Sequence, residues 1–115
     1  MPTTPGEQAM PKYLIEANYV GEGIKGLLKD GGSGRLAAIE QLAKSMGGTL
    51  ETAYFAFGDT DIYVIVDLPD NASAAAISLT VSSTGLVTTK TIVLMTPAEV
   101  DEAVKKHPSY RAPGQ

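Results

Sequence analysis

Thr49-Leu50-Glu51-Thr52-Ala53-Tyr54-Phe55-Ala56-Phe57-Gly58-Asp59-Thr60-Asp61-Ile62-Tyr63-Val64-Ile65-Val66-Asp67-Leu68 decides the fold. Gly58-Asp59-Thr60 is turn chemistry, set between two runs of strand formers. The spacing predicts strands over 49–57 and 61–68. In the second run Ile62, Val64 and Val66 fall on one face, and Tyr63 and Ile65 on the other. A parallel pair needs a long crossover, and three residues cannot supply one, so the two runs form an antiparallel hairpin.

Upstream of the hairpin, Gly47-Gly48 closes a helix that Ser33 is placed to cap. That helix is predicted to run to Met46, with Leu36, Ile39, Ala43 and Met46 as its apolar stripe. A separate glycine-rich helical stretch over 21–29 precedes it, broken by Gly31-Gly32. Before that, residues 12–19 alternate. Tyr13, Ile15, Ala17 and Tyr19 share one face; Leu14, Glu16 and Asn18 share the other. Downstream, Pro69-Asp70-Asn71 opens a helix of small residues over 72–83, and Gly85 stops it. A strand of valine and threonine over 87–95 follows. Thr96-Pro97-Ala98-Glu99 then starts a short helix to Lys106 with an N-cap, a proline and a capping glutamate.

Two crossovers around one hairpin define an α+β protein. The order is the ferredoxin-like βαββαβ arrangement, a four-stranded antiparallel sheet with its helices on one face. The other face is left bare. Lined by Leu14, Phe55, Tyr63 and Ile65, it is an apolar surface that a monomer seldom exposes. Two such sheets are expected to pack face to face in a homodimer, a dimeric α-β barrel, enclosing any site there.

Composition narrows the function. The chain has 115 residues, with 13 acids against 9 bases and a net charge of -4. That is one domain, and the wrong charge for a nucleic-acid partner. No cysteine is present, which excludes thiolate metal sites and suits a reducing cytoplasm. Residues 1–10 read as a flexible extension without a secretory pattern, 11–106 as the domain, and 107–115 as a flexible tail. No apolar run approaches the roughly 18 residues that span a bilayer, so no membrane partner is expected.

Several blocks recur in order: Pro11-Lys12-Tyr13-Leu14-Ile15, Gly47-Gly48-Thr49-Leu50-Glu51, Gly58-Asp59-Thr60-Asp61 and Val66-Asp67-Leu68-Pro69-Asp70. Together they resemble the GYD domain family from Met10 to Lys105. The family takes its name from a glycine, a tyrosine and an aspartate at the hairpin. Gly58 and Asp61 match, and Thr60 stands at the tyrosine's place. The resemblance implies a dimeric α-β barrel and carries no reaction. Relatives in the wider superfamily include cofactor-free monooxygenases, haem-handling proteins and ligand-sensing modules.

Glu16 and Asn18 lie on the bare face of the first strand, with Lys90 of the fourth strand beside them in a ferredoxin-like order. Thr89 and Thr91 offer an alternative polar face for that strand. Glu16 and Lys90 suit a salt bridge that sets dimer register, or an acid–base pair in a cavity with Tyr63. A carboxylate at an apolar interface has a raised pKa unless paired. Asp61 begins a strand and is placed to hydrogen-bond backbone or ligand. With Asp59, Asp67 and Asp70 it makes a group of acids, but without the oxygen spacing of a calcium loop, so no metal is expected.

Gly21-Glu22-Gly23-Ile24-Lys25-Gly26 fits G-x-G-x-x-G, yet the acid that ends a parallel second strand in a dinucleotide fold is missing. No cofactor is expected. His107, the single histidine, follows the last helix and complements its dipole. Tyr19, Tyr54, Phe55, Phe57 and Tyr63 read as core. The expectation is a cytoplasmic homodimer that binds a small apolar or aromatic ligand, or a partner, through Glu16, Asn18, Asp61, Tyr63 and Lys90. The alternatives are a cofactor-independent monooxygenase or isomerase using Glu16, Asn18 and Tyr63, and an assembly module with no ligand.

Overall fold

The computed structural model describes residues 10–115. Most of the expected N-terminal extension therefore lies outside the described residues. The chain runs β1 (Lys12–Tyr19), α1 (Glu22–Ser45), β2 (Thr49–Phe55), β3 (Ile62–Asp67), α2 (Asn71–Ser83), β4 (Val87–Leu94) and α3 (Pro97–Val104). The sheet order is β2-β3-β1-β4, and every neighbouring pair is antiparallel. Each long crossover, β1-α1-β2 and β3-α2-β4, skips one strand. This is the expected βαββαβ order with a short helix appended.

Period-two alternation places the core. Tyr13, Ile15, Ala17 and Tyr19 of β1 are buried with Ile62, Val64 and Val66 of β3. Ala43 of α1 and Ala74 and Ile77 of α2 complete the same cluster, so both long helices cover one sheet face. Small residues on α2 let it lie close to the sheet, where its Ser78 hydroxyl meets that of Thr89 on β4 at 2.6 Å. Asp70 caps α2, accepting hydrogen bonds from the Ser73 backbone N–H and hydroxyl, each at 2.8 Å. Those bonds, the backbone one first, hold the Asp70 carboxyl below its ordinary pKa.

Three local readings are corrected. The predicted break between two N-terminal helices is present, since α1 is two helices joined across a kink at Gly31, whose φ of 71° and ψ of 174° are not helical, and only the position of the second helix's cap differs. The break thus falls at Gly31, and Ser33 lies inside the element and caps nothing. Phe55 is not on the bare face. It pairs with buried Ile62 and lies under α1, where a Cβ on Gly32 would meet its ring at 3.4 Å. A bulge at Glu51, between Leu50 and Thr52, shifts the phase of β2 by one residue and sends Tyr54 to the bare face instead. Among the five aromatics read as core, only Tyr19 is buried. Tyr54 and Phe57 are exposed, and Phe55 and Tyr63 are each 39% exposed.

α3 has the predicted capping box: the Glu99 N–H donates to Thr96 Oγ1, and the Thr96 N–H donates to Glu99 Oε1. It buries none of its residues, and Val100 and Val104 are exposed. Residues 105–115, His107 among them, are neither helix nor strand and are exposed.

Candidate functional site

Strand register assembles the bare face in rows, because cross-strand partners project to the same side. One row runs Tyr54, Tyr63, Glu16, Lys90 across β2, β3, β1 and β4. The next runs Thr52, Ile65, Leu14, Ile92, and is apolar through its centre. Beyond it, Lys12 bonds to Glu51 and, at 2.9 Å, to Asp67. Those two bonds, the one to Glu51 first, raise the Lys12 pKa above its usual value. An apolar strip thus lies between two polar rows.

The end of the sheet beyond the Tyr54–Lys90 row forms a cleft of about 460 Å³. Glu16, Asn18, Thr60, Tyr63, Thr88 and Lys90 line it, with Asp59 from the hairpin turn. Four residues expected at the site from sequence, Glu16, Asn18, Tyr63 and Lys90, therefore come together. Thr89 and Thr91 pair with buried Ala17 and Ile15, which settles the β4 faces in favour of Lys90 on the bare side.

Glu16 Oε1 accepts a hydrogen bond from the Thr60 hydroxyl at 3.1 Å. Among the described residues no ion pair joins Glu16 to Lys90, although they are register partners. Thr60 draws the carboxylate toward the turn, while Lys90 sits on an exposed edge strand. Within the chain, Glu16 thus has a hydroxyl contact and not the salt bridge to Lys90 that was one of its two readings. Thr60, only 8% exposed, is the site residue that sequence reasoning missed. Its place in the hairpin motif was the available signal.

Asp61 has a different task. Its Oδ2 accepts from the Tyr19 N–H at 2.9 Å, and its own N–H donates to Asn18 Oδ1 at 2.9 Å. These bonds tie the start of β3 to the end of β1. Asp61 does not line the cleft; it fixes the position of Asn18, which does. With Asn18 Oδ1 so engaged, its amide NH₂ is without a partner among the described residues.

A model of the GYD domain matches residues 13–104. The chain belongs to the GYD domain family. No curated protein and no solved structure matches it significantly. Within this GYD domain, Gly58 is unconstrained by its surroundings, since a Cβ there would meet nothing within 4 Å. The motif's structural content in this chain lies in Asp61 and Thr60.

Among the described residues no three histidine, cysteine or acidic side chains are grouped to hold a metal ion. No helix among them is long and apolar enough to cross a membrane.

Proposed function

We propose that this GYD domain is a homodimeric ligand-binding module of the cytoplasm, with one binding cleft per copy at the margin of the paired sheets. The ligand is a small molecule with a flat apolar part against Tyr63 and hydrogen-bonding groups facing Glu16, Asn18, Thr60 and Lys90. The observation that carries this reading is the convergence of an acid, an amide, a phenol and an amine from three strands on one cleft. An unfilled amide and an unpaired amine among the described residues are groups that a ligand satisfies.

Surface area supports the pairing. On the bare face Tyr54 is 72% exposed, Tyr63 39% and Ile92 37%. Four strands about 4.8 Å apart, with about seven residues each, present roughly 440 Å² of bare sheet. Two such faces fall short of the about 1200 Å² that stable interfaces bury. The dimer therefore recruits more than the sheet, and exposed Val100 and Val104 of α3 are apolar surface suited to it.

A second reading, cofactor-independent proton transfer by Glu16, rests on its position between Tyr63 and Lys90 in one row. Native mass spectrometry of the purified dimer, without added ligand, tests both. A retained small molecule in the wild type, lost in a still-dimeric Lys90→Ala, is the expected result. Retention unchanged by Lys90→Ala, or no retained molecule at all, argues against the cleft. Conversion of the released molecule by wild type but not by Glu16→Gln would favour the enzyme.

A further inference from the structure

On the helix side of the sheet, opposite the cleft, α1 and α2 leave a trough. Two hollows of about 70 Å³ and about 250 Å³ adjoin there, with Tyr19, Arg35, Val81 and Val87 as shared walls. The lining is apolar except for Arg35 with Asp30 beside it, Thr84 and Thr89. The Arg35 guanidinium sits 5.9 Å from the centroid of the Tyr19 ring. Its Nε is buried and has no hydrogen-bond partner among the described residues. Its nearest acid is Asp30, whose Oδ2 is 3.8 Å from Nη1, too far for a hydrogen bond.

A buried N–H without an acceptor, at the mouth of an apolar hollow, calls for an anion on an apolar body. We propose that this trough binds a small amphipathic carboxylate. Its apolar part lies against Tyr19, Val81 and Val87, and its carboxylate takes the Nε edge of Arg35. The planar guanidinium matches a carboxylate through two parallel bonds. Asp30 close by disfavours a dianion such as a phosphate monoester, so a single negative charge is preferred. Gly26 lines the α1 wall and leaves it open there, since a Cβ at that position would meet nothing within 4 Å.

The full chain, labelled with nitrogen-15, is titrated with 3-phenylpropionate and with its neutral counterpart 3-phenylpropanol. The acid is expected to shift the amides of Tyr19, Gly26 and Val87 saturably, and to bind at least about tenfold more tightly than the alcohol. Arg35→Gln should abolish that preference, and Arg35→Lys should keep part of it. Lys29→Gln, which removes an exposed charge on the same helix, should leave the ratio unchanged. Equal affinities of acid and alcohol for the wild type overturn the proposal even if Arg35→Gln fails to fold. So does an undiminished preference in a folded Arg35→Gln, or the absence of saturable binding up to about 10 mM.

Discussion

Asp61 and Lys90 were both expected at a site, and their contacts now separate them. Asp61 satisfies a backbone N–H, so Asp61→Ala should cost about 2 kcal/mol in urea unfolding. Lys90→Ala, at an exposed position with no ion pair among the described residues, should stay within about 0.5 kcal/mol of wild type. Equal losses would mean that Asp61 is not the tie between β3 and β1. Period two alone made Glu16 and Asn18 legible as a pair on one face; what their side chains bond to depends on residues 43 or more positions away, which no local pattern encodes. Tyr13 carries a pH signature. Burial, with the Asp70 carboxylate adding to it, pushes its phenol above the usual 10.0, and its OH donates to Asn71 Oδ1 at 2.6 Å. A pKa raised by folding contributes stability in full below the unfolded value and loses it as pH rises through the folded one. Lys12, raised from 10.5, acts in the same direction. Stability should therefore fall as pH climbs beyond 10, and Tyr13→Phe should flatten part of that fall in denaturant titrations at successive pH values. A Tyr13→Phe profile as steep as wild type would show the phenol uninvolved. Asp70, lowered from 3.8, acts at the other end: its contribution is present above that value and is lost as pH falls through the folded one.

At the scale of elements, G-x-G-x-x-G turns out to be packing. Gly21 precedes α1 with a φ of 52°, and a Cβ on Gly23 would lie 2.0 Å from the Leu86 carbonyl oxygen. Backbone cannot yield by that much without moving the start of α1 away from Leu86, in the turn before β4. Gly23→Ala should thus cost about 2 to 3 kcal/mol. Gly26, in the same helix and the same motif, meets nothing within 4 Å, and Gly26→Ala should stabilise by up to about 1 kcal/mol through helix propensity and reduced chain entropy. Paired thermal and urea melts check both, and the same sign for the two variants would refute the assignment. Element order was readable because periodicity and turn chemistry are local: β1, the hairpin, the α2 start and the α3 capping box all fell where the residues put them. What failed was also local in origin. One extra residue at Glu51 reverses every later side chain of β2, and Leu50, Glu51 and Thr52 carry no mark that distinguishes a bulge from regular strand. In α1 the glycine signal did mark the junction of two helices, and only the cap was misplaced, because Gly31 itself takes the non-helical geometry and Ser33 lies two residues beyond it.

At the scale of the whole molecule, the question is how the uncovered sheet face and α3 are satisfied. The Cα radius of gyration is 17.4 Å, against about 13 Å for a compact chain of this length. A helix that is fully capped yet buries nothing has no internal reason to persist, since about eight residues are too few for a helix stable on its own. The proposed pairing of two copies would supply the reason: their bare faces would meet along Leu14, Ile65 and Ile92, and each α3 would lay Val100 and Val104 on the other copy. Sedimentation equilibrium should return twice the chain mass at micromolar concentration. Ile65→Asp, which puts a charge in the apolar row while leaving the helix-side core untouched, should give a folded monomer. Ending the chain after Met95 should keep the dimer but weaken it by at least about tenfold, because the sheet alone offers less area than a stable interface needs. The two variants separate the contributions. A monomeric wild type would remove the pairing altogether. A truncated chain that dimerises as tightly as the full one would show that α3 has some other partner, and that the bare face alone accounts for the association.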